Sequence, residues 1–460
     1  MDYGQKESEY NSKEIHSGHA KYYIVPERQE VKEQKQVDFY QLIRNIPKGG
    51  SIASMPEYHD GVIYLTSLDT HLYAIDAETG KTIWKFKTGA PSVSSPLIHK
   101  NQIYFGSHDE YFYCLSLNGK LLWKKQLGDI AACYPTACGD NIFTTAGKNM
   151  FCFSEDGTQL WKFATGGGMF ATPALINGFV TFSSFDGNTY CLDIDGNLVW
   201  KFFTGGFSSS PLVFSDGKPI VTVRDRSWNK MPYAKNPVLY VACNNNFLYA
   251  LNVEGKLLWK YNMGSSAASI LTGNDGVIYS GTVSGHLHAI NSDGKSIWKF
   301  LTGGMITAAP IVHYNKIYFG SWDQKLYCLS EDGEKIWDFL TGGPIAAEAT
   351  IVGNKLYVGS ADTFLYCIDI EKRSVDWTFQ CGFGLPENLQ AKLTDINNTL
   401  VEYDRKIFKV WAPETLRGKM QGAALQSYSA PQGFEFGGEQ AYKSNSSLSD
   451  YFGKKGIYKK

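Results

Sequence analysis

Four short apolar runs recur along most of this chain, each closed by a tryptophan strand. In the second unit the runs are SVSSPLI, QIYFGS, YFYCLS and LLWKKQ. Each run is rich in β-branched or aromatic residues, with Gly, Asp or Asn in the gaps, the pattern of strands joined by tight turns. Asn-Gly and Asp-Gly pairs precede most of the tryptophan strands, as two-residue hairpins prefer. Eight tryptophans occupy equivalent places: Trp84, Trp123, Trp161, Trp200, Trp259, Trp298, Trp337 and Trp377. Their spacings are 39, 38, 39, 59, 39, 39 and 40 residues. A period near 40 with four strands per unit predicts blades of a β-propeller. A blade cannot bury both faces alone, whereas eight packed radially can. The first and last units both show all four strands, so the ring is expected to close without a borrowed strand.

The predicted fold class is therefore all-β: a single eight-bladed β-propeller of four-stranded antiparallel blades with N- and C-terminal extensions. Its expected parts are a polar extension over 1–50 with a short helix near Val31–Ile46, the propeller over 51–381, an ordered extension over 382–425 and a flexible tail over 426–460. The 59-residue spacing places about 20 extra residues in blade five, near 216–238. They fall between its first two strands and are expected to project from that face.

The first unit also carries Ala74, Asp76, Thr79, Gly80 and Trp84 in the order A-x-D-x-x-T-G-x-x-x-W. This resembles the tryptophan-docking motif of pyrroloquinoline-quinone-like (PQQ-like) repeat propellers. That family includes quinoprotein dehydrogenases and the outer-membrane assembly lipoprotein BamB. The resemblance spans about 51–381 and implies the fold; because the fold hosts both enzymes and scaffolds, it does not choose between them. Quinoprotein dehydrogenases resemble one another in an adjacent Cys-Cys pair, calcium-binding side chains and pocket-building insertions. This chain has no adjacent cysteines and near-minimal blades, so no catalytic residue carries over and PQQ is not expected. No other catalytic motif is present.

Composition narrows the partners. The 44 basic and 45 acidic side chains nearly cancel, leaving no global field to gather nucleic acid. No stretch approaches the ~18 apolar residues of a membrane helix, and the polar start lacks a signal pattern or a lipid-attachment cysteine. These features predict a soluble, cytoplasmic protein. Cys114, Cys152, Cys191, Cys328 and Cys367 share one third-strand position that is Ala in three other blades, which predicts a small apolar slot rather than disulfide or metal chemistry.

Functional candidates are residues that break the repeat. Among first-strand positions aligned on Pro56, Pro96 and their equivalents, Glu348 is the one charge at the residue before. It reads as a solvated channel carboxylate or, alternatively, an ion or ligand contact. Two positions before the proline only small residues occur, and crowding at the axis is expected to explain them. His108 in a second-to-third-strand loop is read as a surface histidine or a cofactor contact. The neighbouring aspartates are expected to make local Asx turns. Phe185, Trp322, Phe170, Phe207 and Met305 are expected around one mouth, either packing between blades or forming a partner surface. Arg224, Arg226, Trp228 and Tyr233 make the insertion basic and aromatic, suited to gripping a partner. The leading expectation is a non-catalytic scaffold for a protein or peptide. The alternatives are a small-molecule or quinone-cofactor binder, possibly an oxidoreductase, and a C-terminal tail that serves for docking or modification.

Overall fold

A computed structural model describes residues 51–382, apart from 207, 209–212, 216–218, 222–225 and 274–275. The expected helix near 31–46, the extension after 382 and the tail lie outside the described residues. Eight sheets of consecutive strands follow one another, spanning 57–87, 97–126, 136–164, 174–203, 213–262, 267–301, 311–340 and 350–380. They are the eight blades, and no helix occurs among the described residues. Neighbouring strands within each blade are antiparallel.

The hydrophobic pattern follows from position in the blade. Gln102–Gly106 and Tyr111–Ser116 are central strands covered by blades on both faces, and each has four consecutive buried residues. The outermost strand, Leu121–Gln126, alternates with solvent instead. The Ala/Cys position stands directly opposite the tryptophan of its own blade, as in Cys114↔Trp123 and Ala74↔Trp84. All five thiols there are buried, and burial raises their pKa values, to about 12 for Cys152.

Each tryptophan then leaves its own blade and lies on the next. Trp161 donates its indole N–H to the Ile194 carbonyl at 2.9 Å, and Trp84 and Trp123 repeat the contact at Leu117 and Glu155. The indole rests on a turn glycine of that next blade: Gly119 under Trp84, Gly196 under Trp161, Gly255 under Trp200. The last contact closes the ring, with Trp377 over Gly80 and its N–H on the Ala77 carbonyl at 3.2 Å. Between blades seven and eight the turn residue is Arg373, also in the left-handed region at φ 58.

Glycine at these turns answers two demands. At Gly196 the backbone is left-handed (φ +88), and an added Cβ would sit 2.7 Å from the Trp161 ring. Gly61 shares the conformation (φ +80) but has nothing within 4 Å. Gly61→Ala is therefore expected to cost about 1 kcal/mol of backbone strain, and Gly196→Ala about 2–4 kcal/mol once overpacking against the indole is added. Urea unfolding of the two variants beside the parent checks the difference.

Candidate functional site

The loops between second and third strands form one end of the ring, and repeated carboxylates fix them. Asp109 accepts the Tyr111 amide on Oδ1 at 3.1 Å, which is the expected Asx turn. Its Oδ2 does more: it accepts the Tyr113 hydroxyl at 2.5 Å and the Gly89 amide, from the loop leaving blade one, at 2.7 Å. Asp186, Asp323 and Asp362 make the same set with Tyr190, Tyr327 and Tyr366 and with Gly166, Gly303 and Gly342. An aromatic residue of the preceding blade packs edge-on against each of these tyrosines, Phe86 on Tyr113 and Phe339 on Tyr366. Blade six breaks the set. Ser284 replaces the aspartate, His288 replaces the tyrosine, and Tyr261 packs against His288. Asn262 supplies the acceptor for the Gly264 amide.

This frame carries the expected mouth residues. Phe170 and Phe185 form a pair with ring centroids 5.2 Å apart, and both are half-buried. Met305 and Trp322 also meet, but each is only 5% exposed. Trp322 donates its indole N–H to Thr307 Oγ1 at 2.9 Å. Met169 and Ile306 are buried too. The two ends of the expected apolar ring thus differ: Trp322 and Met305 join blades together, while the Phe170–Phe185 pair reaches solvent. Phe207 and Arg224 lie outside the described residues. His108 is half-buried, and burial lowers its pKa to about 4.

In blades one and two the residue two before the proline turns into the blade. Ser54 Oγ donates to the Thr66 carbonyl at 2.8 Å, and Ser94 Oγ accepts the Gly106 amide at 3.1 Å. Ser94 Oγ also donates to the Cys133 carbonyl of blade three at 2.7 Å, so neighbouring first strands approach closely there. The next residue faces the axis, and there Glu348 and Tyr134 meet across the ring. The Tyr134 hydroxyl donates to Glu348 Oε2 at 2.7 Å. Burial, and then the Glu348 carboxylate, hold the Tyr134 pKa well above its usual value, so the phenol remains a donor.

The insertion reaches this same place rather than projecting outward. Pro219–Val221 pairs with Val213–Ser215 of its own blade. Ser227–Trp228 then adds in parallel to Thr136–Cys138, the innermost strand of blade three. Glu57 meets Arg226: Nη2 lies 2.6 Å from Glu57 Oε2, and Nη1 and Nη2 donate to the Ser95 and Pro96 carbonyls. The guanidinium stands 5.6 Å over the Tyr134 ring. Arg226 is 1% exposed, the largest fully buried side chain among the described residues. Trp228 packs against apolar clusters that include Cys138 and Leu239. Tyr233, in contrast, is 78% exposed.

Glu57 was not among the expected site residues. Its signal lay one residue past the aligned proline, where the other blades carry Leu97, Thr136, Ala174, Leu212, Leu271, Ile311 and Thr350. The described axial residues do not fit an anionic quinone. The one arginine described there is already engaged by Glu57 and two carbonyls, and Glu348 adds negative charge. Among the described residues no group of three His, Cys, Asp or Glu side chains is placed to hold a metal ion.

Comparison with known proteins follows the geometry. The family model described as outer membrane protein assembly factor BamB matches residues 30–135, 113–227 and 244–410. A quinoprotein ethanol dehydrogenase of Pseudomonas aeruginosa is 32% identical over 122 residues, covering 24% of this chain and 19% of the relative. A 1-butanol dehydrogenase (quinone) of Thauera butanivorans is 33% identical over 81 residues, covering 15% of this chain and 13% of the relative. The matches thus span about a fifth or less of these relatives. Among solved structures, BamB from Moraxella catarrhalis superposes with TM-score 0.56 at 19% identity, covering 67% of this chain and 91% of that one. Quinohemoprotein alcohol dehydrogenase from Comamonas testosteroni does so with TM-score 0.56 at 13% identity, covering 71% and 73%. These two likenesses are of fold.

Two variants test the site. Tyr134→Phe removes the hydroxyl donor from the buried Glu348 carboxylate and is expected to cost about 1–3 kcal/mol in urea unfolding. For His108 the folded chain favours the neutral ring, while the unfolded chain takes up a proton near its ordinary pKa of 6.5. Its contribution is complete above pH 6.5 and declines as pH falls toward 4. His108→Gln is expected to shrink the difference between the urea midpoints at pH 7 and pH 4.5.

Proposed function

The chain belongs to the family described as outer membrane protein assembly factor BamB, and from that premise we propose that it is a non-catalytic propeller that holds a protein or peptide partner at its mouth. The Phe170–Phe185 pair carries this reading. Two large rings remain half-buried on loops that Asp186 links through the Tyr190 hydroxyl and the Gly166 amide. Partly exposed aromatics on a fixed frame lose little entropy when they are covered, which is the property of an interface anchor. Trp322 and Met305, being buried, support the loops from beneath rather than meeting the partner. His108 sits on the equivalent loop of blade two, while Glu348 is buried against Tyr134 at the axis.

Nine buried, unbridged thiols favour a reducing compartment such as the cytoplasm. No helix of the described residues is long and apolar enough to cross a membrane. A second reading, a quinone-dependent oxidoreductase, draws on the two dehydrogenases matched above. The spent Arg226 charge at the axis weighs against it.

Chemical cross-linking in the source organism, followed by purification of the propeller, checks the proposal. The intact chain is expected to recover one defined polypeptide, and Phe170→Ser/Phe185→Ser to lose most of it while unfolding at the parent's urea midpoint. Equal recovery by both chains refutes the mouth as the site. A quinone-like absorbance in the protein purified from that source supports the oxidoreductase instead.

A further inference from the structure

Blades in a regular ring touch mainly their neighbours, and from the repeat itself Tyr134 and Glu348 meet across the axis. The blade-five insertion reaches across it as well. It leaves the ring between the first two strands of blade five, and its Pro232 and Ala234 backbones bond Asn177 of blade four. Ser227 and Trp228 occupy the inner edge of blade three, where the Arg226 carbonyl accepts the Ala137 amide at 2.7 Å and the Trp228 carbonyl the Gly139 amide at 2.9 Å. Ser227 Oγ also meets His99 Nδ1 of blade two at 2.8 Å. Arg226 ends against Glu57 of blade one and the Ser95 and Pro96 carbonyls of blade two. One segment therefore bonds blades one to four from a root in blade five.

The attachment is uneven in chemistry. The strand pairing is two residues long, and a pairing of that length is weak alone. Beside the Trp228 packing and the Asn177 and His99 contacts, its charged anchor is a buried cation against the Glu57 carboxylate. Removing one member of such a pair leaves an uncompensated charge in the interior, and this is strongly unfavourable. We infer that the insertion is a releasable strap across the axis, latched by the Glu57–Arg226 ion pair, which closes the ring at the face of the first-to-second-strand turns. With the latch closed, Glu348 and Tyr134 are reached from the opposite mouth. Release of the latch opens the axis at both ends. The strap works in the same way whatever the mouth binds.

Cys138 reports on the strap, because it pairs directly with Trp228, packs in the same cluster and is 9% exposed. Cys114 and Cys328 are buried in other blades, away from the strap, and serve as controls. The test is pulsed alkylation of the full chain with N-ethylmaleimide, read cysteine by cysteine by peptide mass spectrometry. Glu57→Gln strands the Arg226 charge, and Cys138 is expected to react at least ~10-fold faster while Cys114 and Cys328 keep their parent rates. Arg226→Met removes the cation and leaves the Glu57 carboxylate without it, so Cys138 is expected to react faster there as well, again with Cys114 and Cys328 at their parent rates. Glu57→Asp, with a shortened carboxylate, gives an intermediate rate and serves where the amide variant is unstable. The latch is overturned by an unchanged Cys138 in Glu57→Gln, by equal acceleration of all three cysteines, or by an unchanged Cys138 in Arg226→Met.

Discussion

Indole against glycine is the contact on which the ring depends. A tryptophan pointing from the edge of one blade needs a flat, side-chain-free landing on the next, and the left-handed turn residue provides it. The requirement is mutual. The turn needs a residue that accepts positive φ, and the indole needs that residue to have no Cβ in its path. Repeating this around the circle sets blade spacing. The final pair, Trp377 on Gly80, joins the two ends without any shared strand. Arg373 shows how far the rule bends, since it keeps the backbone conformation while giving up the bare surface.

The two ends of the axis have different chemistry. At the mouth, backbone amides and tyrosine hydroxyls converge on aspartate oxygens, and the loops stand on a network that leaves aromatic rings partly uncovered. At the other end, a segment from outside the repeat fills the centre with a salt bridge, a parallel strand pair and a packed tryptophan. Glu348 and Tyr134 stand between these regions. A surface built from repeated parts can vary by single substitutions, as blade six does with Ser284 and His288, without disturbing its neighbours.

The blade count, strand order and small Ala/Cys slot were legible because each rests on local periodicity repeated eight times. Side-chain direction at the first strands was less so. Ser54 and Ser94 turn into the blade, with Ser94 also bonding the Cys133 carbonyl of the next one, and sequence spacing alone does not tell axis from interior there. The second oxygen of Asp109 has a partner 20 residues away, Gly89, so the Asx turn was visible and the link between blades was not. Arg226 was legible as unusual yet misplaced, because its partner Glu57 is 169 residues distant in sequence. Glu57 itself stood out only at a position next to the one compared.

The chain enters and leaves the ring at one spot. Ser51 Oγ donates to the Ala361 carbonyl, the Ile52 amide to Ser360 and the Cys381 amide to Thr363, all within a single loop of blade eight. Whatever precedes residue 51 and whatever follows residue 382 are therefore tethered to adjacent points. Residues 51 and 382 thus stand side by side although more than 300 residues of propeller separate them in sequence. Joining them directly and reopening the chain at another exposed turn would preserve every blade.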